Sequence, residues 1–311
     1  MIAIEGLRKH FGHFQALDGV EFTVPKGEIF GFVGPNGAGK TTTIRILATL
    51  TPADSGRALV GGIPVGEDPA AVRALIGYMP DFFGVYDRLT SEEYLEFYAA
   101  CHGVPRRRRR VVAKELLELV DLGDRAKFQV DTLSRGQKQR LCLARALVHD
   151  PSVLLLDEPA SGLDPRARVE MRELVKELSR MGKTILISSH ILPELEELCT
   201  WVGFIDRGRM AAVGPMSQIR DRALIGRRLR VVLSSVDPEW LQRVADQMGT
   251  VAGVVHAEVA GDHLEVAVGE QVEDHVLLAD LVKAGLPVRA FAPIEGDLSE
   301  AFLSLTGGGQ P

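Results

Sequence analysis

At 311 residues the chain has room for roughly two domains of about 150 residues each. Its 46% hydrophobic and 25% charged residues are the composition of a globular protein, which excludes collagen-like, disordered and disulfide-scaffold chains. Lys and Arg number 36 against 42 Asp and Glu, and because residues 1–219 hold 28 of each, the whole net charge of -6 falls in residues 220–311, a segment that should repel nucleic acid and anionic lipid.

No uncharged stretch approaches the roughly 18 residues of a membrane-spanning helix. The opening Met1-Ile2-Ala3-Ile4-Glu5 lacks the basic and apolar runs of a secretory signal, so the expected location is the cytoplasm. Cys101, Cys142 and Cys199 share no metal-ligand spacing and read as reduced packing residues.

The first segment is strand-rich, with runs at 1–7, 20–24 and 29–33, and suggests an antiparallel start. After Gly34 the pattern turns helical over 40–50, giving a strand, a Gly-rich turn and a helix. Residues 91–120 have helical periodicity, and the five arginines Arg106 to Arg110 after Pro105 read as a solvated helix start rather than a nucleic-acid patch. Helical patterns recur at 138–148 and 166–180. The second lies between apolar strands 153–156 and 184–188, an order that requires parallel pairing. Strands 201–206 and 209–213 read as a hairpin turning at Arg207-Gly208.

From Arg228 the order becomes strand 228–234, helix 238–248, strands 251–259 and 263–268, helix 272–284 and strand 288–293. This is the split βαβ order of ferredoxin-like domains, and a short helix is expected near 298–305.

Gly34-Pro35-Asn36-Gly37-Ala38-Gly39-Lys40-Thr41 satisfies G-x-x-x-x-G-K-[ST] between a buried strand and a helix. Glycines let backbone N–H groups approach phosphate oxygens, the helix N-terminus adds partial positive charge, and Lys40 brings a full one beside the β and γ phosphates. Thr41 offers a hydroxyl to Mg²⁺. Val153-Leu154-Leu155-Leu156-Asp157-Glu158 is an apolar strand ending in two carboxylates that alternation would turn to opposite faces. Asp157 then suits the metal shell and Glu158 a water. Leu133-Ser134-Arg135-Gly136-Gln137 precedes a helix, with the Ser134 hydroxyl and the uncluttered Gly136 amide forming another anion site.

These motifs together resemble the ATP-binding cassette (ABC) ATPases, the nucleotide-binding subunits of transporters, over residues 1–219. The family signature is LSGGQ, matched here except that Arg135 replaces the first glycine. Ser161-Gly162-Leu163-Asp164 is similar to the D-loop, and His190 to the switch histidine that contacts the γ-phosphate. Phe11 falls where the family stacks an aromatic on adenine, although a core role is the rival. Thr42 joins the P-loop set. Where the family has its Q-loop glutamine this chain has Asp81, a shorter charged ligand for the metal side, with Phe82, Phe83 and Tyr86 beside it as aromatic surface where the family docks a membrane subunit, internal packing of those rings being the rival.

The resemblance implies an α/β P-loop ATPase with an antiparallel β subdomain, a RecA-like core and a helical subdomain at about 82–150, followed by a small α+β domain at 225–311. It further implies ATP and Mg²⁺, a second cassette, separate membrane-embedded permease subunits, and a peripheral position on the inner face of the membrane. Export is the favoured direction. The rival is a soluble cassette acting on DNA or ribosomes, which usually shows coiled coils, zinc cysteines or two cassettes in one chain, none of which is found here. A GTPase would need an Asn-Lys-x-Asp motif, and the sole asparagine, Asn36, already lies in the P-loop.

Overall fold

A computed structural model describes residues 1–81, 84, 88–223, 227–234, 237–249, 251, 253–269 and 273–294. The chain divides into two compact units, Met1–Ser217 and Gln218–Pro311.

The first unit opens with long strands β1 (Ile2–Phe11) and β2 (Phe14–Val24), which pair antiparallel, followed by β3 (Ile29–Val33) and α1 (Lys40–Leu47). Helix α1 stops three residues short of the expected Leu50 because Thr49 takes φ +62, which no helix accommodates. The next elements are β4 (Ser55–Val60), β5 (Ile63–Pro64), α2 (Pro69–Leu75) and β6 (Ile76–Met79). The apolar period is too short in each of these to be read from sequence.

Residues 91–120 form two helices rather than one, α3 (Ser91–Cys101) and α4 (Arg106–Leu119). Gly103 at φ +76 and Pro105, which fixes its own φ and blocks a helical neighbour, break them apart. The arginine run does start α4, with Arg110 donating to the buried Glu92. Two more helices and two strands follow: α5 (Arg135–Ala146), β7 (Val153–Asp157), α6 (Pro165–Arg180) and β8 (Thr184–Ser189). Then come α7 (Leu192–Glu196), the hairpin β9 (Trp201–Asp206) and β10 (Arg209–Pro215), and α8 (Met216–Ala223), which spans the division between the units. Arg207 and Gly208 take φ +46 and +76 at the hairpin turn, as a two-residue type I′ connection needs.

Two sheets result. One has the order β2-β1-β4-β5, antiparallel throughout, and the other β10-β9-β3-β8-β7-β6, parallel except for the β10 edge. All residues of β3, β7 and β8 are buried, as expected for a parallel sheet covered on both faces. One apolar cluster joins the two sheets, with Phe22 stacked on Phe30 at 4.9 Å between ring centres, and α3, α4 and α5 enclose another around Tyr94, Leu117 and Leu141. Among the described residues no helix is long and apolar enough to cross a membrane.

The second unit contains β11 (Arg227–Leu233), α9 (Pro238–Met248), β12 (Val254–Ala260), β13 (His263–Val268), α10 (Asp274–Lys283) and β14 (Val288–Ile294). Its sheet order, β12-β13-β11-β14, is antiparallel throughout and places the first and third strands at the centre, the split βαβ arrangement. Leu229, Val231, Leu241, Val266 and Leu281 form its core. The helix expected near 298–305 lies outside the described residues, as do Phe82, Phe83 and Tyr86. Cysteine packing holds for Cys142 and Cys199, which are buried; Cys101, at the exposed end of α3, is a correction to that reading.

His102, just past α3, stacks on His149, just past α5, with ring centres 4.0 Å apart and planes 5° from parallel. Burial lowers both imidazole pKa values, helped by Arg145 at His102 and by the His102 charge at His149. A depressed histidine pKa means that the unfolded chain binds protons first, so the stability held at neutral pH is lost as pH falls below about 6.5, the ordinary imidazole value. We expect thermal midpoints to drop more steeply between pH 7.5 and 5.5 in the parent than in His149→Gln, and equal slopes would remove this pair as a source of acid sensitivity.

Candidate functional site

Parallel register places three loops at one edge of the sheet. Val33 pairs with Ser189, and Asp157 with Ser188, so the chain leaves β3, β7 and β8 side by side. A cleft of about 310 Å³ opens there, lined by the P-loop residues Pro35, Asn36, Gly37, Gly39, Lys40, Thr41 and Thr42 together with Asp81, Glu158, Ser161 and His190. Gly34 and Ala38 stand behind it. A Cβ on Gly34 would meet the Ile205 carbonyl at 2.2 Å, and Ala38 is buried. Gly37 takes φ +81 and Gly39 φ +112, backbone shapes that favour glycine and turn the chain into the N-terminus of α1.

Lys40 is buried, and its Nζ donates to the carbonyls of Gly34 at 2.6 Å and Pro35 at 3.2 Å while standing 3.5 Å from Glu158 Oε1. The other Glu158 oxygen lies 2.8 Å from His190 Nδ1. With Glu158 ionised its oxygen only accepts, so Nδ1 carries the proton and Nε2 is left as the acceptor in the neutral ring. Glu158 itself is at φ +50, off the strand that ends at Asp157. The two carboxylates therefore diverge through a left-handed turn, not through the strand alternation expected from sequence.

Asp157 is 1% exposed. Its Oδ1 accepts from Ser188 Oγ at 2.7 Å and from Thr41 Oγ1 at 3.2 Å. Burial pushes its carboxyl pKa up; the two hydroxyl donors pull it down, and the charges of Asp81 and Glu158 push it up further. Asp157 also lines an adjoining cleft with Thr41, Tyr78 and Asp81, so the metal-side trio expected from sequence shares one corner.

Other expected residues lie outside the cleft. Ser134 is the N-cap of α5 in a reciprocal capping box: its Oγ accepts the Gln137 amide at 3.3 Å and its amide donates to Gln137 Oε1 at 3.0 Å. The helix therefore begins at Arg135, three residues before the expected start, and takes Gly136 into its first turn. Asp164 caps α6, accepting the Ala167 amide at 2.9 Å. Phe11 is 52% exposed, which removes the core reading, and it does not line the cleft. Its cross-strand partner Phe14, 60% exposed, does. Sequence reasoning missed Phe14 and the bridging role of Ser188; the former had a signal in two phenylalanines flanking a two-residue turn, the latter none.

Comparisons with known proteins identify the family. Residues 17–161 match the family described as ABC transporter. The linearmycin resistance ATP-binding protein LnrL of Bacillus subtilis is 34% identical over 99% of this chain and 98% of its own length. A Nod factor export ATP-binding protein I from Burkholderia lata is 37% identical over 98% and 97%. Among solved structures, a dimeric post-hydrolysis ATP-binding cassette bound to ADP and Pi superimposes with a TM-score of 0.63 at 25% identity, over 70% of this chain and 99% of the other. The chain belongs to the ABC transporter family. It is an ATP-binding, ATP-hydrolysing subunit of such a transporter.

The Ser188 hydroxyl joins the two carboxylate-bearing residues, since it donates to Asp157 and accepts the Glu158 amide at 3.0 Å. Ser188→Ala leaves a buried carboxylate one donor short and should cost about 1–3 kcal/mol of stability. Urea unfolding of parent and variant measures it, and coincident midpoints would contradict the bridge.

Proposed function

We propose that this chain energises export across a membrane, as one of two cassettes bound to separate permease subunits on the cytoplasmic face. The observation that supports the reading is the convergence of Lys40, Thr41, Asp157, Glu158 and His190 on one edge of the parallel sheet. The names of its relatives, antibiotic resistance and Nod factor export proteins, agree with the exporter direction. The acidic C-terminal segment argues against a soluble cassette acting on DNA or ribosomes.

The P-loop amides and Lys40 receive the β and γ phosphates, and Phe14, which lines the cleft, flanks the approach of the base. Glu158 stands ready to take a proton from the attacking water, with His190 Nδ1 holding its other oxygen. The donor set fits Mg²⁺: the Thr41 hydroxyl already donates to the buried Asp157 carboxylate, with Asp81 alongside. Mg²⁺ takes one or two carboxylates and completes its octahedron with water and phosphate, and Asp157 and Asp81 would be those carboxylates. Bound there, the ion would offset the negative charge gathering on the phosphate oxygens.

Ser134 and Gly136 are exposed or half-exposed at the start of α5 and lie outside their own cleft, the placement expected if they serve the γ-phosphate of a second cassette. Glu158→Gln should keep nucleotide binding and lower turnover by about 10² to 10⁴. With ATP and Mg²⁺ its mass by light scattering should approach twice 33.8 kDa. Hydrolysis above a tenth of the parental rate would take the proton-accepting role from Glu158, and a monomer at every concentration would exclude the homodimer.

Asp81 adds a charge to a corner that already raises the Asp157 pKa. Carboxylates so close to a triphosphate are tolerated where a cation lies between them. Asp81→Ala should therefore raise the Mg²⁺ concentration for half-maximal ATPase activity, and Asp81→Gln should lie closer to the parent. Parental Mg²⁺ dependence in both variants would assign Asp81 to the structure of its loop.

A further inference from the structure

The family signature has glycine where this chain has Arg135. The side chain reaches 26 residues along the sequence: its Nη2 donates to the Ser161 carbonyl at 2.9 Å. Gln139, one turn further along α5, approaches the same oxygen at 3.5 Å. The next residue, Gly162, has φ +66, and a Cβ built on it would stand 2.3 to 2.5 Å from three atoms of the Arg135 guanidinium. The guanidinium thus fills the space that a side chain at 162 would need.

The gripped loop is the one that carries the reacting carboxylate. Glu158 starts it at φ +50, and its carbonyl accepts the Ser161 amide at 3.0 Å. Ser161 then lines the cleft with Glu158 and His190. Ser188 fastens the beginning of the loop through the Glu158 amide. Buried Leu163 and the Asp164 cap fasten its end. Its middle is held from outside by the α5 pair, Arg135 and Gln139.

We propose that Arg135 is a positioning residue that ties the 158–164 loop to the first turn of α5 within one cassette, so that Glu158 and Ser161 are held by the same helix that presents Ser134 and Gly136. A single charge-assisted hydrogen bond on an exposed side chain adds little stability. Its effect is geometric: a displacement of about 1 Å in a reacting group costs up to about 10²-fold in rate. Glycine at this position has no atom with which to make the tether, so loop and helix would then shift separately.

The proposal rests on Glu158 being the carboxylate that faces water, and two kinds of measurement keep the two claims apart. In the full-length protein, Arg135→Gly should speed amide hydrogen exchange in a peptide covering 158–164 by about threefold or more while leaving 34–42 at the parental rate; Arg135→Lys, which retains a donor, should recover part of the protection. Arg135→Gly should also lower kcat about three- to tenfold with KM for ATP within about twofold. Because the guanidinium occupies the space beside residue 162, Gly162→Ala should cost more activity in the parent than in the Arg135→Gly background. Parental exchange over 158–164 in Arg135→Gly, or an equal Gly162→Ala effect in both backgrounds, would overturn the tether. Full turnover in Glu158→Gln would overturn the role of Glu158 and leave the exchange result standing.

Discussion

The register of three parallel strands decides where the chemistry stands. β3, β7 and β8 are aligned so that Val33, Asp157 and Ser189 reach the same edge, although they are more than a hundred residues apart in places. Thr41 and Asp157, 116 positions apart, meet at 3.2 Å only because of that alignment. A slip of one residue between β7 and β8 would turn Asp157 to the other face of the sheet and leave Ser188 without its acceptor. Every residue of these strands is buried, so such a slip would have to repack the side chains on both faces of the sheet.

What this edge gains in geometry it loses in stability. A carboxylate 1% exposed is stabilised by two hydroxyl donors, and the charges of Asp81 and Glu158 work against it. Glu158 at φ +50 costs of order 1–3 kcal/mol for a residue with a Cβ. Both costs are met by the apolar clusters behind the strands, where Phe22, Phe30 and Phe32 pack together. The strain is confined to the turn between a buried strand and a capped helix, the one place where Glu158 can leave the sheet plane and meet both Lys40 and His190.

The P-loop, the strand before Asp157 and the ferredoxin-like order were legible because each is local: a motif at fixed spacing, an apolar run with a polar stop, or a period that switches between two and 3.6. Helix α9 and strand β13 agree with the sequence expectation to the residue, since Asp237-Pro238 and Asp262 mark their starts. The short elements β4 to β6 and α2 were invisible, because two to seven residues rarely hold enough period to outweigh their neighbours. The break between α3 and α4 was available in Gly103 and Pro105 but was overridden by continuous helical character on both sides. At the site, Lys40 and Thr41 were readable one by one. The Ser188 bridge and the reach of Arg135 to Ser161 were not, since each joins residues that only the tertiary fold brings together.

Two positions carry charge where the resemblance implies a neutral residue, and the structure treats them differently. Asp81 faces the cleft, where its charge acts directly on Asp157. The Arg135 side chain turns toward its own chain and gives a hydrogen bond to the Ser161 carbonyl. A cation aimed outward beside Ser134 would add to the attraction for any phosphate facing that helix; one directed at a backbone carbonyl is held by geometry and acts on the loop instead. The sequence change is the same in kind at both sites, but the charge at position 81 acts on Asp157 in the cleft, whereas that at position 135 ties two motifs of one cassette together.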